Sequence, residues 1–102
     1  MKLFLITDSA DAYEGLRMTG IDGVVVADEA EATAAIAAAA EDSTVAVLLV
    51  TKGLAQKVQG QLLPFQLRPA PPLVLEIPDP HSDGGKGGSM TRYVKETLGL
   101  EL

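Results

Sequence analysis

The chain has 102 residues, which is one domain's worth of polypeptide, with 47% hydrophobic and 22% charged residues. A formal net charge of −6 argues against a nucleic-acid partner and against electrostatic anchoring on an anionic membrane. Cysteine is absent, which excludes disulfides and thiolate metal sites, and with only two Phe, two Tyr and no Trp the core must be built from Val, Leu, Ile and Ala.

Residues 2–7, KLFLIT, form a short continuous apolar run and predict a strand buried on both faces. The N-terminal apolar stretch ends at Asp8, too soon for a secretory signal, so a cytosolic protein is expected. Asp8 or Ser9 is placed to cap a helix through DAYEGLRM, and Gly20 to end it in a left-handed conformation. A second strand is expected over 22–28, DGVVVAD. Asp28 stands three residues before Glu31, in the pattern of a capping box, and opens an alanine-rich helix. TVAVLLVT (44–51) predicts a third buried strand, and its apolar run is far short of the roughly 20 residues that span a bilayer. KGLAQKVQGQLLPFQ predicts a third helix, weakened at Gly60 and stopped near Pro64. RPAPP reads as a rigid extended connection into a fourth strand over 73–77, LVLEI, which Pro78 ends. The last 24 residues, DPHSDGGKGGSMTRYVKETLGLEL, read as a glycine-rich loop and then a helix from about Ser89 to Leu98.

Strict alternation of apolar strands with helices predicts an α/β fold: a single flavodoxin- or receiver-like (Rossmann-like) sandwich with a four-stranded parallel sheet of order 2-1-3-4 and helices on both faces. The expected divisions are a body over 1–78, a flexible linker over 79–88 and a C-terminal helix over 89–102.

In such a sheet, ligands bind beyond the carboxyl ends of the strands where the order reverses. That places Thr7, Asp8 and Ser9 opposite Thr51, Lys52 and Gly53. A dinucleotide site needs G-x-G-x-x-G there, but TDSADA has no glycine before Gly15. A flavin-phosphate loop would meet the repelling charge of Asp8. A phosphoacceptor domain needs an aspartate at the end of the third strand, and Thr51 stands in its place. One carboxylate, Asp8, makes a poor magnesium site. The C-terminal loop carries Gly85-Lys86, but a phosphate loop would need a glycine at Pro80 and a hydroxyl at Gly87. His81 has no neighbouring residue to act with. Catalytic, cofactor-binding and metal-binding residues are therefore expected to be absent. Gly84, Gly85, Gly87 and Gly88 instead suit a hinge. In the final helix Met90, Tyr93, Val94 and Leu98 share one stripe, with Arg92, Lys95 and Glu96 opposite it. Such a stripe suits either the sheet of the same chain or a helix of a partner.

KLFLITD with EGLRMTGID, VAVLLVTKGLAQKV in the middle, and above all LVLEIPDP leading through glycines to SMTRYVKETLGL give the whole chain a resemblance to the F subunits of the V-type and A-type rotary ATPases. The family's last block has the form EIP, an acidic-glycine loop and ILRYVREAIGI; this chain has more glycines in the loop and an unusually proline-rich RPAPPL. The resemblance implies a non-catalytic central-stalk component without cofactors. It would bind the coiled-coil shaft (the D subunit), turn with it inside the ring of catalytic A and B subunits, and touch those subunits transiently. It also implies one copy per complex, a monomer when isolated, and a place in the soluble sector peripheral to the membrane, where the complex couples ATP synthesis or hydrolysis to ion transport. The C-terminal helix would be mobile and modulate ATPase activity. Shaft-contact candidates are Met90, Arg92, Tyr93, Val94, Glu96, Leu98 and Leu100.

Overall fold

The computed structural model describes residues 2–79. The chain runs β1 (Lys2–Thr7), α1 (Ala10–Arg17), β2 (Asp22–Val25), α2 (Glu29–Glu41), β3 (Val45–Thr51), α3 (Lys52–Lys57), α4 (Gln59–Leu67) and β4 (Leu73–Ile77). All strand pairs are parallel, in the order β2-β1-β3-β4. The expected flavodoxin-like α/β architecture and strand order are both present.

The register explains why the strands read as unbroken apolar runs. Leu5 pairs with Leu49, and Leu49 with Leu75, so these side chains share one face. On that face Leu5, Leu49 and Ile77 pack with Ala12 and Leu16 of α1 and with Ile21. On the other face Ile6, Leu48 and Val50 pack with Ala32, Ile36 and Ala39 of α2, with Leu54 and Ala55 of α3, and with Leu62 of α4. A strand between two such layers needs apolar residues at every position. Leu5, Ile6, Leu48, Leu49 and Val50 are fully buried, each leucine or isoleucine contributing about 1.5–3 kcal/mol relative to exposure.

Helix ends follow the sequence closely. Ser9 adopts an extended conformation and its Oγ accepts the Ala12 amide at 3.2 Å. At the other end Gly20 has φ +90°. There the Ile21 amide donates to Leu16 O and the Gly20 amide to Arg17 O, a Schellman closure whose apolar partners, Leu16 and Ile21, are buried together. Asp28 Oδ1 accepts the Glu31 amide at 2.8 Å. The reciprocal bond of the expected capping box is displaced by one residue: the Glu31 carboxylate accepts from the Ala27 amide, not from Asp28.

Three expectations need correction. The second strand ends at Val25, although Val26 still packs with Val24 on the α2 side of the core and its amide donates to Thr7 O. The third helix is two helices. It breaks at Val58 (φ −116°, ψ 27°), and Pro64 lies inside α4 where a stop was expected. The break lets Leu54, Ala55, Val58 and Leu62 all reach one core. Pro64 lacks the N–H that would bond the Gly60 carbonyl, yet α4 runs on through it to Leu67. Residues 69–72 form a series of bends, and Arg68 Nη2 donates to Pro71 O at 3.1 Å, so RPAPP is not an extended rod.

Candidate functional site

The carboxyl ends of β1 and β3 meet where the strand order reverses, the position at which this fold class holds its ligands. The chain's own groups occupy it. Thr7 and Thr51 are fully buried, and their hydroxyls hydrogen-bond each other at 2.9 Å. Thr7 Oγ1 also accepts the Ser9 amide at 3.0 Å. Thr51 thus stands where a phosphoacceptor aspartate would, and its oxygen is already engaged. Asp8, the one acid expected to hold a metal, instead pairs with Lys57 at 3.2 Å. Ser9 spends its hydroxyl on the α1 cap.

Asp79 makes the remaining contact. Its Oδ2 accepts the Gly53 amide at 2.8 Å, at the first turn of α3. A Cβ on residue 53 would lie 3.1 Å from that oxygen, so glycine makes room for the carboxylate. A free backbone amide at a strand-to-helix turn is what a phosphate-binding domain offers its anionic ligand; here a carboxylate of the protein itself takes that amide. Sequence reasoning placed Asp79 at the start of the linker and missed this role, because the contact spans 26 residues and carries no local signal.

The neighbouring pocket has a volume of about 210 Å³ and is lined by Asp8, Asp28, Glu29 and Lys57 together with Val26, Ala27 and Leu54. It is smaller than the roughly 300 Å³ at which small-molecule pockets begin, and three carboxylates around one lysine disfavour phosphate. Among the described residues, no group of three or more metal-ligating side chains is gathered. The shaft-contact candidates Met90, Arg92, Tyr93, Val94, Glu96, Leu98 and Leu100, and the hinge candidates Gly84, Gly85, Gly87 and Gly88, lie outside the described residues, as do His81 and Lys86.

Fold and crevice together define a flavodoxin-like α/β body whose ligand edge is closed by its own side chains. The family model of the ATP synthase (F/14-kDa) subunit matches residues 3–94. That span is most of the chain, and the chain belongs to this family; it is a subunit of a rotary ATPase, and its partners are subunits of that complex. No curated protein matches it.

Proposed function

We propose that this chain is the non-catalytic central-stalk component of a V/A-type rotary ATPase or ATP synthase. It binds the coiled-coil shaft (the D subunit), one copy per complex, and turns with it, helping to couple ATP synthesis or hydrolysis to ion transport, with protons the expected ion. The observation that carries this reading is the family match over residues 3–94. The self-occupied crevice supports it: a body whose Thr7, Thr51 and Asp79 are already engaged within the chain offers nucleotide little. Nucleotide chemistry then belongs to the catalytic A and B subunits, which this chain touches transiently.

Torque transmission calls for a stiff body, and a parallel sheet packed on both faces supplies one. Among the described residues no helix is long and apolar enough to cross a membrane, which accords with a place in the peripheral sector. The segment 89–102, with Met90, Tyr93, Val94 and Leu98 as its apolar stripe, contacts the shaft and modulates ATPase activity. Some 12 helical residues reach about 18 Å along a partner. The test is removal of residues 89–102 followed by measurement of shaft affinity and of ATPase activity in the reconstituted complex. The truncated chain is expected to remain folded and to bind the shaft less tightly or stimulate ATPase less. Both quantities unchanged would refute the role given to this segment.

A further inference from the structure

The helix α3 opens without a cap of its own. Its N-cap residue is Thr51, and the Thr51 side chain makes no capping hydrogen bond. The Thr51 hydroxyl is buried and committed to Thr7 at 2.9 Å. The first amides of a helix have no intrahelical acceptor, so a turn that its N-cap cannot serve draws one from elsewhere. Asp79 supplies it from 26 residues away, its Oδ2 accepting the Gly53 amide at 2.8 Å in a charge-assisted bond.

The place is shaped for this side chain. A Cβ on residue 53 would lie 3.1 and 3.3 Å from the two Asp79 carboxylate oxygens. Gly53 does not have a positive φ, so its backbone conformation does not call for glycine. Inside a helix glycine costs stability relative to alanine. The room that glycine leaves is taken by Asp79.

The chain on either side of the bond gives it a further role. Asp79 lies two residues past the end of β4, between Pro78 and Pro80. Proline fixes its own φ and biases the residue before it toward extended backbone. Ile77 and Asp79 each precede a proline, so the backbone that carries the carboxylate has few conformations open to it. The glycines Gly84, Gly85, Gly87 and Gly88 come only later in the chain. On the other side of the bond, α3 is anchored in the core through Leu54 and Ala55, and Lys57 at its far end pairs with Asp8 at 3.2 Å.

We infer that the Asp79–Gly53 bond is a clasp between the C-terminal segment and α3. The carboxylate caps α3 while residue 79 lies against the crevice, and drawing the segment away from the body uncaps the helix. Both events turn on one bond, so each biases the other by the same free energy. The body then ends at Asp79, one residue later than the sequence predicts, and the free tether begins beyond it. The inference concerns this chain alone and holds whatever the C-terminal segment goes on to touch.

The test is nitrogen-15 relaxation and amide hydrogen exchange on the full-length chain, comparing wild type with Asp79→Ala and with Gly53→Ala. The first substitution removes the carboxylate. The second crowds it while favouring the helix, and serves if Asp79→Ala folds poorly. In wild type the Asp79 amide is expected to have an order parameter of about 0.85, that of rigid backbone. In Asp79→Ala the amide of residue 79 should fall below about 0.6, that of a flexible segment. The Gly53 amide should then exchange about tenfold faster, the scale of one charge-assisted bond. In Gly53→Ala the Asp79 amide should lose order in the same direction by a smaller amount, an effect across 26 residues that capping of α3 alone would not produce. Faster exchange at Gly53 with residue 79 equally ordered in both variants would reduce Asp79 to a cap and overturn the clasp. A wild-type Asp79 amide already below about 0.6 would overturn it as well.

Discussion

Thr7 and Thr51 differ in how much each hydroxyl does. Thr7 Oγ1 bonds both Thr51 and the Ser9 amide, whereas Thr51 Oγ1 pairs with Thr7. Replacing Thr51 with valine should cost about 1 kcal/mol, since Thr7 keeps its other partner. Thr7→Val should cost more, up to about 3 kcal/mol, because it strands a second hydroxyl and removes an acceptor from a part-buried amide. Urea unfolding of the two variants checks the order, and equal costs would contradict it. Asp42 gives a pH prediction. The Thr44 hydroxyl and then the Thr44 amide donate to its Oδ1 at 2.6 and 2.9 Å, holding its carboxyl below the ordinary range. A carboxylate with a lowered folded pKa contributes stability above its unfolded pKa of about 4 and loses it as pH falls through the lower folded value. Asp42→Asn should therefore lower the thermal midpoint slightly at neutral pH and converge on wild type well below about pH 4, which flattens the acid limb of the midpoint-against-pH curve. Residue roles of this local kind were legible in the sequence: Ser9, Gly20 and Asp28 sit where capping chemistry demands them. The Asp79–Gly53 bond was not, because only the assembled sheet brings the two together.

Individual elements show the same division. Continuous apolar runs announced all four strands, and alternation with helices announced their parallel order. The break at Val58 was hidden, since the sequence offers Gly60 and Pro64 as stronger breakers while the demand to bury Leu54 and Leu62 together decided the outcome. Gly23 is another element-scale constraint. It pairs with Leu5 in the sheet, and a Cβ there would lie 2.6 Å from Leu5 O and 2.8 Å from Leu5 Cβ. Backbone cannot yield as a flexible side chain would, so β2 needs glycine to lie flat against β1. Gly23→Ala should destabilise the chain by about 1–3 kcal/mol, the usual range for overpacking. A denaturation midpoint unchanged within error would show that β2 shifts freely.

At the scale of the whole molecule, a fold that elsewhere carries ligands has here turned its ligand edge into part of its own core. The two threonines close the β1–β3 junction and Asp79 sits on the α3 turn. Among the described residues the molecule leaves the large apolar side chains of Met18, Val25, Leu63, Leu67 and Leu73 outward, and beyond residue 79 the chain continues into the segment 80–102. The family match was legible in the sequence because it spreads over residues 3–94, including LVLEIPDP and the first half of the last block, SMTRYV. The exposure of Leu63 and Leu67 on α4 was not legible, because a helix of apolar residues reads equally well as core until its buried face is known. The central claim is that this body is held by a coiled coil and carries no small ligand of its own. Co-expression of the full chain with the shaft protein, followed by size-exclusion chromatography with light scattering, tests that claim most directly. A one-to-one complex of the two chains without bound nucleotide or flavin is the predicted result; a chain that elutes alone, with a nucleotide or flavin held near Thr7 and Thr51, would contradict it.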